Sequence, residues 1–386
     1  MKGTDKQNAV LEPEIASPVP LGSYPPSDVT FLLKDLSSVA LELGTAEREK
    51  AIQSGVSYSE MLPVEYQPTE QYIGLFRETL QESAAKVALA VAVVSERIVA
   101  QRGTEGTVLV SLARAGTPVG VLIRRYIAEA YGAELPHYSV SIIRGKGLDM
   151  NAIRYILQQH GTDANLQFVD GWTGKGAITR VLKESCIAFY NRYGVRLSDD
   201  LAVLADPGHC SGTFGTREDY LIPSACLNST VSGLLSRTVQ RNDLTGPEDF
   251  HGAKFYKEWL EHDYSNVFID AITPYFASVR ETAVAAAGEM GASPPEISWR
   301  GMQDIITLQE HFGIDNINLI KPGVGETTRV LLRRVPWKII VDTKDNPNLR
   351  HILLLAEERN VPVEEYPGLA YSCCGIIKPL KGGETE

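Results

Sequence analysis

The chain has 386 residues, 44% of them hydrophobic and 22% charged, and a formal net charge of −11. That composition fits a folded chain with a sizeable core and excludes a protein that coats nucleic acid or anionic membrane over its whole surface, so basic patches must be sought segment by segment. The N-terminus lacks a signal-peptide pattern, the longest weakly polar run (Val87–Val94) is too short to span a bilayer, and the five cysteines fit neither a disulfide framework nor paired zinc knuckles; a soluble cytoplasmic protein with reduced thiols and no membrane partner is expected.

Residues 1–27, rich in Pro, Ser and Gly and without a hydrophobic period, read as a flexible N-terminal arm. From Asp28 to about Arg102 the spacing of Leu32, Leu36, Val39 and Leu43, followed by the alanine-rich stretch Ser83–Val99, predicts a helical extension. Short β-branched runs then alternate with amphipathic segments: TVLVSL, a helix over 118–131, YSVSII, a helix over 151–160, LQFVD, a helix over 176–193, and LAVLAD. This is the rhythm of a parallel α/β sheet. A mixed, helix-rich stretch over 223–290 ends at the proline pair of GASPPEIS, which marks a linker. From residue 296 a smaller unit has its own strands (INLI, WKIIVD, VPVEEY) and helices (GETTRVLLRR, NLRHILLLAEER). The expected division is 1–27, 28–290 and 296–386.

In an open α/β sheet, ligands sit beyond the carboxyl ends of strands, where loops run into helix N-termini whose free N–H groups and dipole favour anions. LQFVDGWTGKGAIT has that layout: Gly171, Gly174 and Gly176 let the backbone fold around a phosphate, Thr173 and Thr179 offer hydroxyls, and Lys175 adds a cation. It departs from the triphosphate form GxxxxGK[ST] because Gly176 follows Lys175. A second strand and loop, VLVSLARAGTPVG, brings Arg114, Ala115, Gly116 and Thr117 ahead of Pro118, which suits a first helical turn. Either loop alone also reads as a tight turn without a ligand.

Together the two loops resemble the type I phosphoribosyltransferases. The resemblance implies a type I phosphoribosyltransferase-like parallel sheet domain that binds phosphoribosyl pyrophosphate (PRPP) or a nucleotide-like molecule. Gly171, Thr173, Gly174, Lys175, Gly176 and Thr179 would hold the 5-phosphate, and Arg114, Ala115, Gly116 and Thr117 the pyrophosphate. Asp170 would orient ribose or its Mg²⁺. In SIIRGKGLDMNAIR, Arg144 and Lys146 would cover the pyrophosphate, with Arg154 a weaker candidate, and Asp170, Arg114 and Lys146 would carry catalysis. One departure bears on the ribose grip: Gly171 follows Asp170 where that family has a second acid.

The loop DPGHCSGT supplies Asp206, His209 and Cys210 as acceptor-side candidates, Asp206 reading equally well as a strand-end cap. A cysteine hydrolase reading needs a thiolate, an imidazole and an orienting group. Cys210 follows His209, Cys226 lies in SACLNST, and His251 is a partner for either. Adjacent side chains on an extended strand point apart, so His209 pairs with Cys210 only in a turned loop.

Lys321–Lys344 holds six Lys or Arg against Glu326 and Asp342, a local excess that suits contact with phosphates. The order GVGETTR, IIVD, AEERN, VPVEEY and AYSCCG resembles the Pelota and L30e/L7Ae-like RNA-binding domains. By that resemblance the C-terminal unit is a small α/β/α domain that binds RNA through Gly323, Gly325, Glu326, Arg329 and Arg333, opposed by Tyr371–Gly375. The other reading is an accessory domain whose arginines are merely solvated. FVDGWTGKG, GSYPPSDVTFLLK and IPSACLNSTVSGLLSRTV together resemble a bacterial family found with tellurite-resistance and stress-response genes. Its members are described as phosphoribosyltransferase-like proteins joined to a Pelota-type domain, some labelled StiP-type cysteine protease. The first expectation is therefore a Mg²⁺-dependent enzyme that transfers or cleaves a phosphoribosyl group and is coupled to RNA, with a homo-oligomer allowed. The second is a non-catalytic PRPP or nucleotide sensor that binds RNA, and the third a cysteine hydrolase.

Overall fold

The computed structural model describes residues 10–44 and 60–378. Expectations for residues 1–9 of the arm, 45–59 of the helical extension and 379–386 of the last unit lie outside the described residues. Six strands form the central sheet: β1 (Thr30–Leu32), β2 (Thr107–Ala113), β3 (His137–Ile143), β4 (Asn165–Trp172), β5 (Leu201–Ala205) and β6 (Thr213–Thr216). They lie in the order β1-β3-β2-β4-β5-β6 with every neighbouring pair parallel, and a two-residue arm, Gly147–Leu148, folds back antiparallel on β3. The apolar runs VLVSL and LAVLA are buried along their whole length, because helices cover both faces. On one face lie α1 (Glu70–Arg102) and α2 (Gly116–Tyr131); on the other, α3 (Met150–His160), capped by the Asp149 carboxylate on Asn151 N and Ala152 N, and α4 (Ala177–Tyr193). Helices α5 (Ser265–Ile272) and α6 (Phe276–Ala292) return against α1.

Two expectations about the N-terminal part are corrected. Leu32 is in strand β1, not a helix: Val29, Phe31 and Leu33 enter the core on one side of the sheet and Leu32 the core on the other, a period of two. Nor are residues 10–27 a loose arm. Val10 and Ile15 are buried, Arg154 donates to Val10 O and Pro13 O, and Gln158 Nε2 donates to the same two carbonyls and to Leu11 O. Arg154 thus anchors the arm instead of covering a ligand.

The C-terminal unit comprises α7 (Arg300–His311), β7 (Ile320–Pro322), α8 (Val324–Arg333), β8 (Pro336–Val341), α9 (Arg350–Glu358), β9 (Val363–Glu365) and β10 (Cys373–Ile377). Its mixed sheet runs β7-β10-β8-β9, with only β8 and β9 parallel. Val324 and Leu331 of α8 belong to the same hydrophobic core as α1 and α2, so the packing is continuous across the two units. Among the described residues no helix is long and apolar enough to cross a membrane.

Candidate functional site

Strand order reverses between β2 and β4, which places the loops that follow them side by side at the crevice where open α/β sheets bind ligands. The approach is close: a Cβ on Gly116 would lie 2.4 Å from Val169 O, and Gly171 packs against Ala115. The two loops singled out in the sequence therefore meet, and several of their side chains are already bonded within the protein. Thr117 Oγ1 bonds Ser139 Oγ at 2.7 Å in the interior, and Thr173 Oγ1 donates to Asp206 Oδ1 at 2.7 Å. Lys175 Nζ donates to Ile317 O (2.9 Å) and Ile320 O (3.3 Å) of the C-terminal unit, its pKa lowered to about 8 by burial and by Lys321 and Arg144. Lys146 is held by Gln240 O at 3.0 Å and Glu60 at 3.4 Å. Arg114 remains at the crevice, braced by Glu65 and Leu235 O. Arg144, Gly174, Gly176 and Thr179 line a cavity of about 380 Å³ beside Asp170.

Asp170 accepts from Gly171 N at 2.7 Å, and loss of solvent pushes its carboxyl up to about 7 despite the nearby Arg144. Among the described residues no group of three or more His, Cys, Asp or Glu is arranged to hold a metal. Asp170 thus has a cation, Arg144, for its charged neighbour, and Gly171 follows it in place of a second acid.

The loop after β5 is built around Asp206. This buried carboxylate accepts at Oδ1 from Thr173 Oγ1, Cys210 N (2.7 Å) and Ser211 N (3.2 Å), while Oδ2 faces Arg217 Nε at 3.4 Å. Its role is the strand-end cap. The turn puts His209 at φ 53°, with ring Nδ1 3.5 Å from Ser298 Oγ. Cys210 Sγ lies 3.2 Å from Gly208 O and 3.7 Å from Gly174 O, and burial, with Asp206 next, pushes the thiol up to about 12. Gly176, the N-cap of α4, has φ +71° and leaves no room for a side chain: a Cβ there would lie 2.2 Å from the Trp299 ring and 2.8 Å from Cys210 Sγ. Trp299 N donates to His209 O and Gly301 N to Gly208 O, so the segment entering the C-terminal unit lies over the thiol. His251 is spent elsewhere, on Ser141 Oγ, and Cys226 is buried with its carbonyl bound by Arg333. Among the described residues no cysteine sulfur has an imidazole partner in this arrangement.

The residues assigned to RNA face the first domain. Arg329 Nε donates to Ala225 O and its guanidinium lies over Trp172. Arg333 bonds Cys226 O, Asn228 Oδ1 and Tyr72 OH. Glu326 is engaged by Arg329 at 2.8 Å, Gly325 lies against Ala225, and Gly323 against Asp219. Asp219, missed in the sequence, is the clamp: it accepts from Val324 N (3.0 Å) at the start of α8 and from Ser372 N (2.9 Å) ahead of β10. No local pattern marks it, since both donors lie more than 100 residues away.

Comparison with known proteins fits this two-part arrangement. The family described as "Tellurite-like stress resistance cysteine protease StiP" matches residues 22–273, and the "PELOTA RNA binding domain" matches residues 299–379. A protein of Acinetobacter baylyi (strain ATCC 33305 / BD413 / ADP1), "Cysteine protease StiP", is 35% identical over 354 residues, 89% of this chain and 90% of that relative. The chain belongs to the StiP family. Its C-terminal unit is Pelota-like and its first domain a mixed α/β fold around a mostly parallel sheet. StiP membership overturns the expectation of Mg²⁺-dependent phosphoribosyl transfer from PRPP, because both the family and the relative carry the name of a cysteine protease. The third expectation, a cysteine hydrolase, is the one that agrees.

Proposed function

We propose that this StiP-family chain is a thiol hydrolase with Cys210 as nucleophile and His209 as its base, held at rest by the segment that leads into the C-terminal domain. The observation that carries the reading is the loop at the carboxyl end of β5, where a left-handed residue, His209, leads directly into Cys210 and the sulfur lies against the N-cap of α4. A helix N-terminus stabilises a thiolate once the site is hydrated, whereas burial now keeps the sulfur protonated. Displacing Trp299 exposes the sulfur and frees the His209 ring from Ser298. The imidazole then takes the thiol proton, the sulfur attacks an acyl carbonyl, the imidazolium protonates the leaving amine, and water releases the acyl group. Asp206 positions the turn without touching the reacting atoms. The name of the A. baylyi relative supports this chemistry. We further infer that the strand order β3-β2-β4-β5 is a type I phosphoribosyltransferase-like scaffold, used here without that family's transfer reaction, and that the Pelota-like unit binds RNA.

The test is hydrolysis of a labelled unfolded protein by the wild type and by Trp299→Ala, each with and without Cys210→Ser, beside alkylation by iodoacetamide mapped to individual cysteines. Trp299→Ala is expected to raise both turnover and Cys210 alkylation at least tenfold, and Cys210→Ser to abolish turnover. Loss of turnover with Cys226→Ser but not Cys210→Ser, or no turnover in the wild type and Trp299→Ala alike, overturns the assignment.

A further inference from the structure

We propose that single-stranded RNA binds in the cleft between the two domains, gripped by cations from both, instead of on the C-terminal domain alone. The proposal rests on the reading that the Pelota-like unit binds RNA and is independent of the hydrolase reading. Among the described residues three cavities along the junction carry an excess of cations, beside a much smaller one lined by Glu218, Asp219 and Glu326. The first, about 520 Å³, is lined by Arg114, Arg144, Arg237 and Arg329 and by no carboxylate, in a protein whose net charge is −11. The second, also about 520 Å³, shares Arg114, Arg237 and Arg329 with it and adds Lys321, Arg333 and Arg334 against Glu65 and Glu326. The third, about 380 Å³, shares Arg144 and Trp172 with the first and Lys321 and Glu326 with the second, and adds Lys175 and Arg180 against Asp170. Shared walls set these chambers side by side as one candidate channel.

A low-dielectric cleft with a strong excess of one sign concentrates a polyanion. Each chamber has the size of a site for one small ligand, on the order of 300–1,000 Å³, so a row of three fits successive units of a strand better than a single small molecule. Aromatic faces are present as well. Trp172 lines the first and third chambers, and Tyr66, 73% exposed, lines the second. A cationic groove with aromatic platforms is the physical pattern of single-strand binding, because every base has a face to stack and every step brings a phosphate. A duplex is shut out. The third chamber is narrowed by Lys175, which reaches across to Ile317 O and Ile320 O of the other domain. The two domains contribute unequal but necessary parts, and one exposed cation from each serves as a probe. Arg144 of the first domain and Arg334 of the second line the channel, and neither side chain makes a hydrogen bond or ion pair with a described residue.

The experiment is fluorescence anisotropy of a labelled 12-nucleotide oligouridylate titrated with the full chain from 50 to 300 mM salt. Arg144→Gln and Arg334→Gln are each expected to weaken binding several-fold at 100 mM salt and to lower the slope of log K against log salt by about 0.7. Trp172→Ala is expected to weaken it roughly tenfold or more through lost stacking. Lys338→Gln, which removes an ion pair with Glu364 outside the cleft, should leave binding unchanged. Circular dichroism melts check that each variant folds, and the two exposed arginine sites carry the test if Trp172→Ala does not. Loss with Arg334→Gln but not Arg144→Gln places RNA on the C-terminal domain alone and overturns the proposal. So does tighter binding of a 12-base-pair RNA duplex, or no binding by the wild type at 50 mM salt.

Discussion

Three donors converge on a single oxygen of Asp206, from Thr173, Cys210 and Ser211, and this arrangement holds the candidate nucleophile where it is. The cap at the end of β5 was one of two readings open from the sequence, and the geometry fills it fully, leaving the carboxylate nothing to offer a substrate. Asp206→Ala would strand a buried hydroxyl and two buried N–H groups. A destabilisation of about 2–4 kcal/mol is expected, since losing a hydrogen bond to a charged group costs roughly 1.5–3 kcal/mol and the neighbours relax only in part. Asp206→Asn keeps the accepting oxygen and should cost less than half as much. Urea unfolding midpoints compare the two. Alkylation of Cys210 should speed up in the alanine variant and stay slow in the asparagine one; equal rates in both would mean that the turn is held by something other than this carboxylate.

At the scale of elements, α8 is docked by its own N-terminus. Asp219 accepts from Val324 N and Ser372 N and so ties the start of α8 and the approach to β10 to the first domain, while Arg329 and Arg333 bind the carbonyls of Ala225 and Cys226. Asp219→Ala removes the tie without touching the core of either unit. Cleavage of the linker over 291–298 by a low concentration of protease should accelerate at least fivefold; an unchanged rate would show that apolar packing alone holds the junction. The sequence made the strands of the sheet legible because a strand buried on both faces must be continuously apolar, as VLVSL and LAVLA are. It made the two loops at β2 and β4 legible because glycines are needed where backbones pass as closely as at Gly116. It misled at Leu32, which lies at helical spacing from Leu36 but belongs to a strand whose side chains alternate between two cores. It also misled at Lys175 and Arg329, because a cation's partner across a domain junction leaves no local trace. Trp299 and Asp219 were invisible for the same reason.

For the whole molecule, the junction makes stability depend on pH with a predictable sign. Asp219 is buried, and desolvation, with Asp342 adding to it, outweighs its backbone donors and pushes its carboxyl from the ordinary 3.8 up to about 7. The folded pKa is the higher one, so between about 4 and about 7 the folded state keeps a proton that the unfolded state has lost. Stability from this group is therefore complete below the unfolded pKa, falls as pH rises through that window, and levels off above about 7. At about 1.4 kcal/mol for each pH unit of separation, the penalty at pH 8 is on the order of 4 kcal/mol as an upper bound. Other groups titrate too, so the wild type is compared with Asp219→Asn, whose amide does not titrate. The amide can still accept from Val324 N but turns a donor towards Ser372 N, which lowers stability by a constant amount at every pH. Melting temperatures measured between pH 4.5 and 8 should decline more steeply in the wild type, and the two curves should draw together as pH rises. Parallel curves would mean that Asp219 ionises normally in the folded protein, and that the donors of α8 and Ser372 compensate fully for its burial.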